Sequence, residues 1–195
     1  GFGYGNGRKQ PLNYCVNGEA NKRAVEDLLR NPAMRRIAGF QQSEFNSYSY
    51  KTFMEYQNTN EQLLRQHSHL RANFLHTTYA ALTVNAGPQS FSPPHQDPDN
   101  TVHGRCADTP LAKYNPDLGV HLVLWELWLT IRFPPGPTIL FPSALITHST
   151  VPIQQDETQF ALLQYSSGGL FRWVANRFQS DKSFMSKASK DEVKQ

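Results

Sequence analysis

The chain has little cysteine, little charge and no long apolar run. Two cysteines in 195 residues, Cys15 and Cys106, exclude a disulfide scaffold and any zinc site built from four thiolates. No apolar stretch approaches the ~20 residues needed to span a bilayer, so no membrane partner is expected. The first residues lack the basic-then-apolar pattern of a signal peptide. The expectation is an intracellular protein, nuclear or cytoplasmic, with reduced thiols. There is no initial methionine, so the chain reads as a piece of a longer product. Charged residues make up 18% and the net charge is +3. That balance excludes a polyelectrolyte and does not by itself demand a nucleic-acid partner. Apolar residues are also sparse at 38%, with Ser, Thr, Asn and Gln filling the gap. Aromatics at 12% nonetheless argue for a packed core, and the length suits a single one.

Residues 1–14 are rich in glycine and asparagine and read as a lead-in. GFGYGNG has the look of a phosphate-cradling loop but lacks the strand before it and the helix after it. From Asn17 the pattern is helical, with Ala24, Val25, Leu28 and Leu29 forming one stripe. Asn31-Pro32 stops it. A short second helix is expected over 32–38, closed by Gly39. Ser43 reads as the cap of a third, and Asn58 or Thr59 as the cap of a fourth.

Past Leu75 the grammar changes to short β-rich segments punctuated by proline and glycine. Strands are predicted over 76–85, 121–128, 129–133, 138–142, 145–151 and 159–166. Helices first and strands afterwards give an α+β class, and strands at this spacing suggest a jelly-roll type barrel or sandwich. One domain is expected over 1–180, with a loose polar tail over 181–195.

Seven histidines stand out, and their placement carries the chemistry. His95 and Asp97 are two apart in Pro94-His95-Gln96-Asp97-Pro98, so an extended backbone turns both to one side. His148 follows fifty-one residues after Asp97, late in a predicted strand. Two imidazoles and one carboxylate are the donor set of the facial triad that holds Fe(II) and leaves positions open for other ligands. His67, His69 and His76 read as ordinary surface or strand-start residues, and His103 as a residue of the loop after His95 and Asp97. His121 begins a predicted strand, from which it could help hold a carboxylate co-substrate.

The residues that carry a wider likeness run along most of the chain. They are Asn31-Pro32-Ala33-Met34-Arg35-Arg36-Ile37-Ala38-Gly39-Phe40-Gln41, then Pro94-His95-Gln96-Asp97, then His121-Leu122-Val123-Leu124-Trp125-Glu126-Leu127. Arg132-Phe133-Pro134-Pro135-Gly136, Pro142-Ser143-Ala144 ahead of His148-Ser149, Gln164-Tyr165, and Gly168-Gly169-Leu170-Phe171-Arg172-Trp173 complete the set. With these motifs the chain resembles the Fe(II)/2-oxoglutarate dioxygenase-like proteins of mushrooms, which belong with the TET/JBP-like nucleic-acid oxygenases. The resemblance implies a double-stranded β-helix (a cupin-like, jelly-roll barrel) buttressed by N-terminal helices. It implies Fe(II) on His95, Asp97 and His148, 2-oxoglutarate as co-substrate, and a methylated base in DNA or another nucleic acid as substrate. On the same footing, Asn100, His103 and Arg105 would stand near the substrate, and Trp125, Trp128, Phe171 and Trp173 are available to stack a base, with Trp125 expected in the core.

The chain departs from that pattern in one place that matters. Such proteins carry an arginine in the stretch that here reads Asp156-Glu157-Thr158-Gln159-Phe160, where it grips the far carboxylate of 2-oxoglutarate. The matching residue is Gln159, which brings neither charge nor a bidentate fork. Either another cation substitutes, with Arg172, Arg132 and Arg105 as candidates, or co-substrate binding is weak, or the barrel is catalytically silent and serves binding. The same chemistry on a small molecule or a protein is the other alternative. A second departure is Gly119-Val120, where relatives have two glycines, a change confined to a turn.

Overall fold

The computed structural model describes residues 1–187. Among them, two short strands, β1 (Phe2–Gly3) and β2 (Leu12–Asn13), pair at the N-terminus. Three helices follow: α1 (Glu19–Arg30), α2 (Pro32–Tyr48) and α3 (Tyr50–Gln66). Then come β3 (Ala81–Asn85), β4 (Cys106–Lys113), β5 (Leu122–Leu124), β6 (Leu129–Ile131), β7 (Ile139–Phe141), β8 (His148–Thr150) and β9 (Thr158–Tyr165). Two further helices, α4 (Gly168–Ala175) and α5 (Asp181–Met185), close the order. Every strand pairing is antiparallel, and the strands form a four-stranded sheet β3-β9-β4-β7 and a three-stranded sheet β6-β5-β8. The fold is α+β, and no described helix is long and apolar enough to cross a membrane.

The layers follow from which faces are apolar. Phe45 of α2 and Phe53 and Tyr56 of α3 pack with Tyr79 and Ala107 on one side of the large sheet. Phe45 sits at the centre of this group, edge-on to Phe53 and Tyr56 and stacked on Tyr79, the geometries that aromatic quadrupoles favour. On the other side, Cys106 and Phe141 of the large sheet meet Leu122 and Leu124 of the small one, with Phe133 completing the cluster. Helices, large sheet and small sheet are thus three stacked layers.

A buried amide pair locks the helical layer to the sheet. Gln41 of α2 is fully buried and donates to Thr109 Oγ1 at 2.8 Å and to the Leu162 carbonyl at 2.9 Å. Its own carbonyl accepts from Gln164 at 2.9 Å, and Gln164 also donates to the Ala38 carbonyl at 3.2 Å. This explains why α2 runs through Gly39 instead of ending there: the anchors Ala38, Gln41 and Phe45 lie on both sides of the glycine, and their burial outweighs its ~1 kcal/mol helix penalty. Ser43 is therefore mid-helix, and the break falls at Ser49. Asn58 and Thr59 lie inside α3, not at a cap. α1 forms where the stripe predicts a helix, but none of its residues is buried.

Among the elements not expected from the sequence are β4 and α4. β4 contains Pro110, which reads as a strand breaker, yet it pairs with Ala161 beyond the end of the β7 ladder, so no neighbour on that side needs its missing N–H. α4 begins with two glycines. A Cβ at Gly169 would stand 2.3 Å from the Tyr4 carbonyl oxygen, so only glycine lets the lead-in pass. The lead-in is itself ordered: Phe2 is buried and its N–H donates to the Ala80 carbonyl at 2.9 Å. Predicted strand 121–128 ends early, because Trp125–Leu127 forms a single 3-10 turn. Residues 181–185 of the expected tail form α5, capped by the Ser180 hydroxyl, and 188–195 lie outside the described residues.

The register aligns Asp108 with Leu163 and Ala112 with Gln159, so Asp108 and Gln159 share the sheet face that looks toward the small sheet. Asp108 Oδ1 is buried without a hydrogen-bond partner. Burial first, and then the nearby Asp97 carboxylate, push its pKa up to about 7.

Two outcomes are expected. Gln41→Leu strands the Gln164 amide and two sheet acceptors, and should cost about 1–3 kcal/mol, read as a lower urea midpoint at unchanged slope. Asp108 ionises near its ordinary 3.8 in the unfolded chain and only near 7 when folded. Between those values the unfolded state has lost a proton that the folded state keeps, so stability falls as pH rises through the window. Asp108→Asn should raise the melting temperature at pH 8, and that gain should fade on titration to pH 4.

Candidate metal centre

The site is built on one backbone contact. His95 lies in a loop, and His148 begins β8. The two residues form an isolated antiparallel bridge, His95 N–H donating to the His148 carbonyl at 3.0 Å and His148 N–H to the His95 carbonyl at 2.9 Å. Asp97 is tied in next door, its N–H donating to the Ser143 carbonyl at 2.9 Å. These bonds bring the three side chains together: one ligand atom from each of His95, Asp97 and His148 lies within 4.8 Å of the others. The imidazole centroids are 4.2 Å apart, and His95 Nε2 stands 3.8 Å from Asp97 Oδ1.

Hydrogen bonding decides which nitrogen of each ring is free. His95 Nδ1 lies 2.8 Å from the Pro93 carbonyl oxygen and His148 Nδ1 lies 2.9 Å from that of Ile146. A carbonyl can only accept, so each Nδ1 carries the proton and each Nε2 keeps its lone pair for a metal. His148 is 8% exposed and packs edge-on against Phe141. Burial, with a further contribution from the His95 ring, lowers its pKa and favours the neutral form that coordinates. His95 and Asp97 retain side-chain exposures of 40% and 35%, which leaves the outer side of the cluster open. The donor set fits Fe(II): nitrogen and oxygen ligands on one face, no thiolate among them, and an accessible opposite side.

Asn100 lines the cavity beside Asp97, and its side chain is hydrogen-bonded there. Its amide donates to Asp97 Oδ2 at 3.2 Å and to Ser143 Oγ at 3.0 Å. It thereby steadies the Asp97 carboxylate, a role the sequence signals only by its distance of three residues from Asp97.

The other candidates are dispersed. His103 is bound to Glu55 of α3 at 2.9 Å, and Arg105 donates to the Gly104 carbonyl at 2.9 Å. Arg132 is paired with Asp117, and His121 lies close to the same carboxylate. Arg172 is paired with Asp181 at 3.6 Å. Gln159 is buried in β9 beneath the 86–92 loop, its N–H donating to the Pro88 carbonyl and its carbonyl accepting from Ser90. Its side-chain Oε1 has no hydrogen-bond partner. Trp125 is not in the core: it is half exposed, with Nε1 donating to Ser149 Oγ at 3.1 Å. Trp128, in left-handed backbone at the β5–β6 turn, is 94% exposed. Trp173 is buried and donates to His67, which is thereby more than a surface residue.

Beside Asp97 opens a cavity of about 440 Å³, within the range of small-molecule sites. Its walls include Asp97, Thr83, Leu163 and Tyr165, and the lead-in closes it with Arg8 and Tyr14.

No protein-family model matches the chain, and no curated protein matches it in sequence. Among solved structures it is similar to NgTET1 in complex with 5mC DNA, with a TM-score of 0.63 at 14% identity over 87% of this chain. The chain spans 61% of the length of that protein's chain. With α+β layers, antiparallel sheets and a His-Asp-His cluster, the fold of this chain is TET-like.

Proposed function

We propose that this chain is an Fe(II)- and 2-oxoglutarate-dependent dioxygenase of the double-stranded β-helix type that oxidises a methylated base in nucleic acid. The observation that carries the reading is the convergence of two imidazoles, each with Nδ1 tied to a carbonyl, on one carboxylate. His95, Asp97 and His148 would hold the iron. Iron so held supplies oxidation of a C–H bond by O2, coupled to breakdown of a 2-oxo acid.

The chain's own residues prepare that chemistry. The Pro93 and Ile146 carbonyls fix the tautomers, Asn100 steadies Asp97, and Phe141 covers one side of His148. The cavity beside Asp97 gives a small co-substrate room next to the metal. The DNA held by NgTET1 supports a nucleic-acid substrate, as do Trp125 and Trp128, exposed on the turn that follows β5. A base flipped from a duplex needs such surfaces to stack on. Gln159 favours a second reading, a metal-binding barrel that does not turn over and serves binding alone, because it carries no charge for the co-substrate.

Succinate formation by the full chain with Fe(II), 2-oxoglutarate and a 5-methylcytosine duplex separates the two, with oxidised base followed by mass spectrometry. Turnover with base oxidation is the expected result. Mn(II) binding without any succinate would establish the silent barrel. His148→Ala should abolish Mn(II) binding seen by electron paramagnetic resonance. Asn100→Ala should weaken it about 10- to 100-fold, the usual cost of removing a partner that orients a ligand. An unchanged affinity in Asn100→Ala would show that Asp97 needs no such support.

A further inference from the structure

The glycine-rich lead-in, which as a sequence has no evident task, shapes one wall of the cavity beside Asp97. Gly5, Asn6 and Gly7 all have positive φ, at 131°, 50° and 78°, and Arg8 N–H donates to the Gly5 carbonyl at 3.1 Å. This tight turn brings the chain back so that Arg8 lines the cavity. Asn6 pins the turn, donating to Asp99 Oδ2 at 2.7 Å, only two residues past Asp97.

Arg8 is the one cationic side chain among the described residues of that wall. It forms no ion pair with any described carboxylate. One nitrogen donates to the Gly3 carbonyl at 3.2 Å, and the guanidinium carbon lies 4.8 Å over the Tyr14 ring. A guanidinium has five N–H donors, so most remain available for an anion. The stack on Tyr14 and the bond to Gly3 pre-set its plane, which lowers the cost of capturing a carboxylate in bidentate fashion. The arginines expected to compensate for Gln159 are engaged elsewhere: Arg132 and Arg172 with carboxylates, Arg105 with backbone carbonyls.

We propose that Arg8 is the anion-binding end of the co-substrate site, so that a small dicarboxylate 2-oxo acid lies in this cavity with its far carboxylate on Arg8 and its oxo-acid end toward the metal ligands. The inference rests on the dioxygenase reading for the metal end only. Arg8 binds and positions the co-substrate, and the lead-in is part of the site, not a tether to it.

The test uses two probes. In the Mn(II)-loaded full chain, calorimetry compares 2-oxoglutarate with pyruvate, which has the oxo-acid end and no second carboxylate. Arg8→Gln should lower 2-oxoglutarate affinity about 10- to 100-fold, the worth of a charge-assisted bond, and leave pyruvate and Mn(II) affinity unchanged. Arg8→Lys should recover part of the loss, and Gln159→Met should cause none. In the metal-free chain, glutarate should shift amide resonances around Arg8 and Tyr14 in the wild type and not in Arg8→Gln. Failure of Mn(II) to bind, with the glutarate shifts present and dependent on Arg8, would overturn the metal reading and leave the anion site standing. Absence of glutarate shifts in the wild type would overturn the anion site. Equal loss of 2-oxoglutarate and pyruvate in Arg8→Gln would also overturn it, as would the full loss appearing in Gln159→Met.

Discussion

The reciprocal backbone hydrogen bonds between His95 and His148 are the constraint on which the site depends. Taken alone, each is an ordinary amide–carbonyl bond, worth about a kilocalorie per mole. Together they join a loop to a strand fifty-three residues away and set the separation of two rings at once. Everything near them is arranged to keep that register. β8 pairs with β5 on its other side, Asp97 is anchored to the Ser143 carbonyl, and each imidazole is turned by a carbonyl two residues before it. A slip of one residue would face either ring the wrong way.

That register is backed by an unusually polar interior. Gln41 and Gln164 cross-link helix and sheet, with all their donors and acceptors engaged. The opposite face of the same sheet carries Asp108 and Gln159, each with a buried oxygen left unpaired. The contrast separates two uses of buried polarity. A satisfied network specifies how layers dock, whereas the unpaired acceptors on the face toward the small sheet leave buried polarity without a partner.

The likeness to a TET-type fold at 14% identity shows how little of such a scaffold must be kept. In this chain that fold consists of antiparallel sheets under a helical layer, and it brings two histidines and an aspartate together. Positions outside that frame can change task. This chain buries Gln159 under a loop, and Arg8 of the N-terminal lead-in lines the cavity beside Asp97.

Much of this was legible in the residues. The order helices-then-strands, the alternation of strands from Leu122 to Tyr165, and the spacing His95, Asp97, His148 all follow from local periodicity and from donor chemistry. Such signals are short in range or carried by side-chain type, so they need no knowledge of neighbours. The tertiary structure alone decided what depends on distant partners. It carried α2 through Gly39 because Gln41 and Phe45 had a sheet to bury against. It admitted Pro110 to a strand because β7 stops short of it. It gave Asn100 a hydrogen bond to Asp97, and it set Arg8 in the wall of the cavity. A sequence states which groups a chain owns and how they repeat, while only the folded packing determines which of them meet.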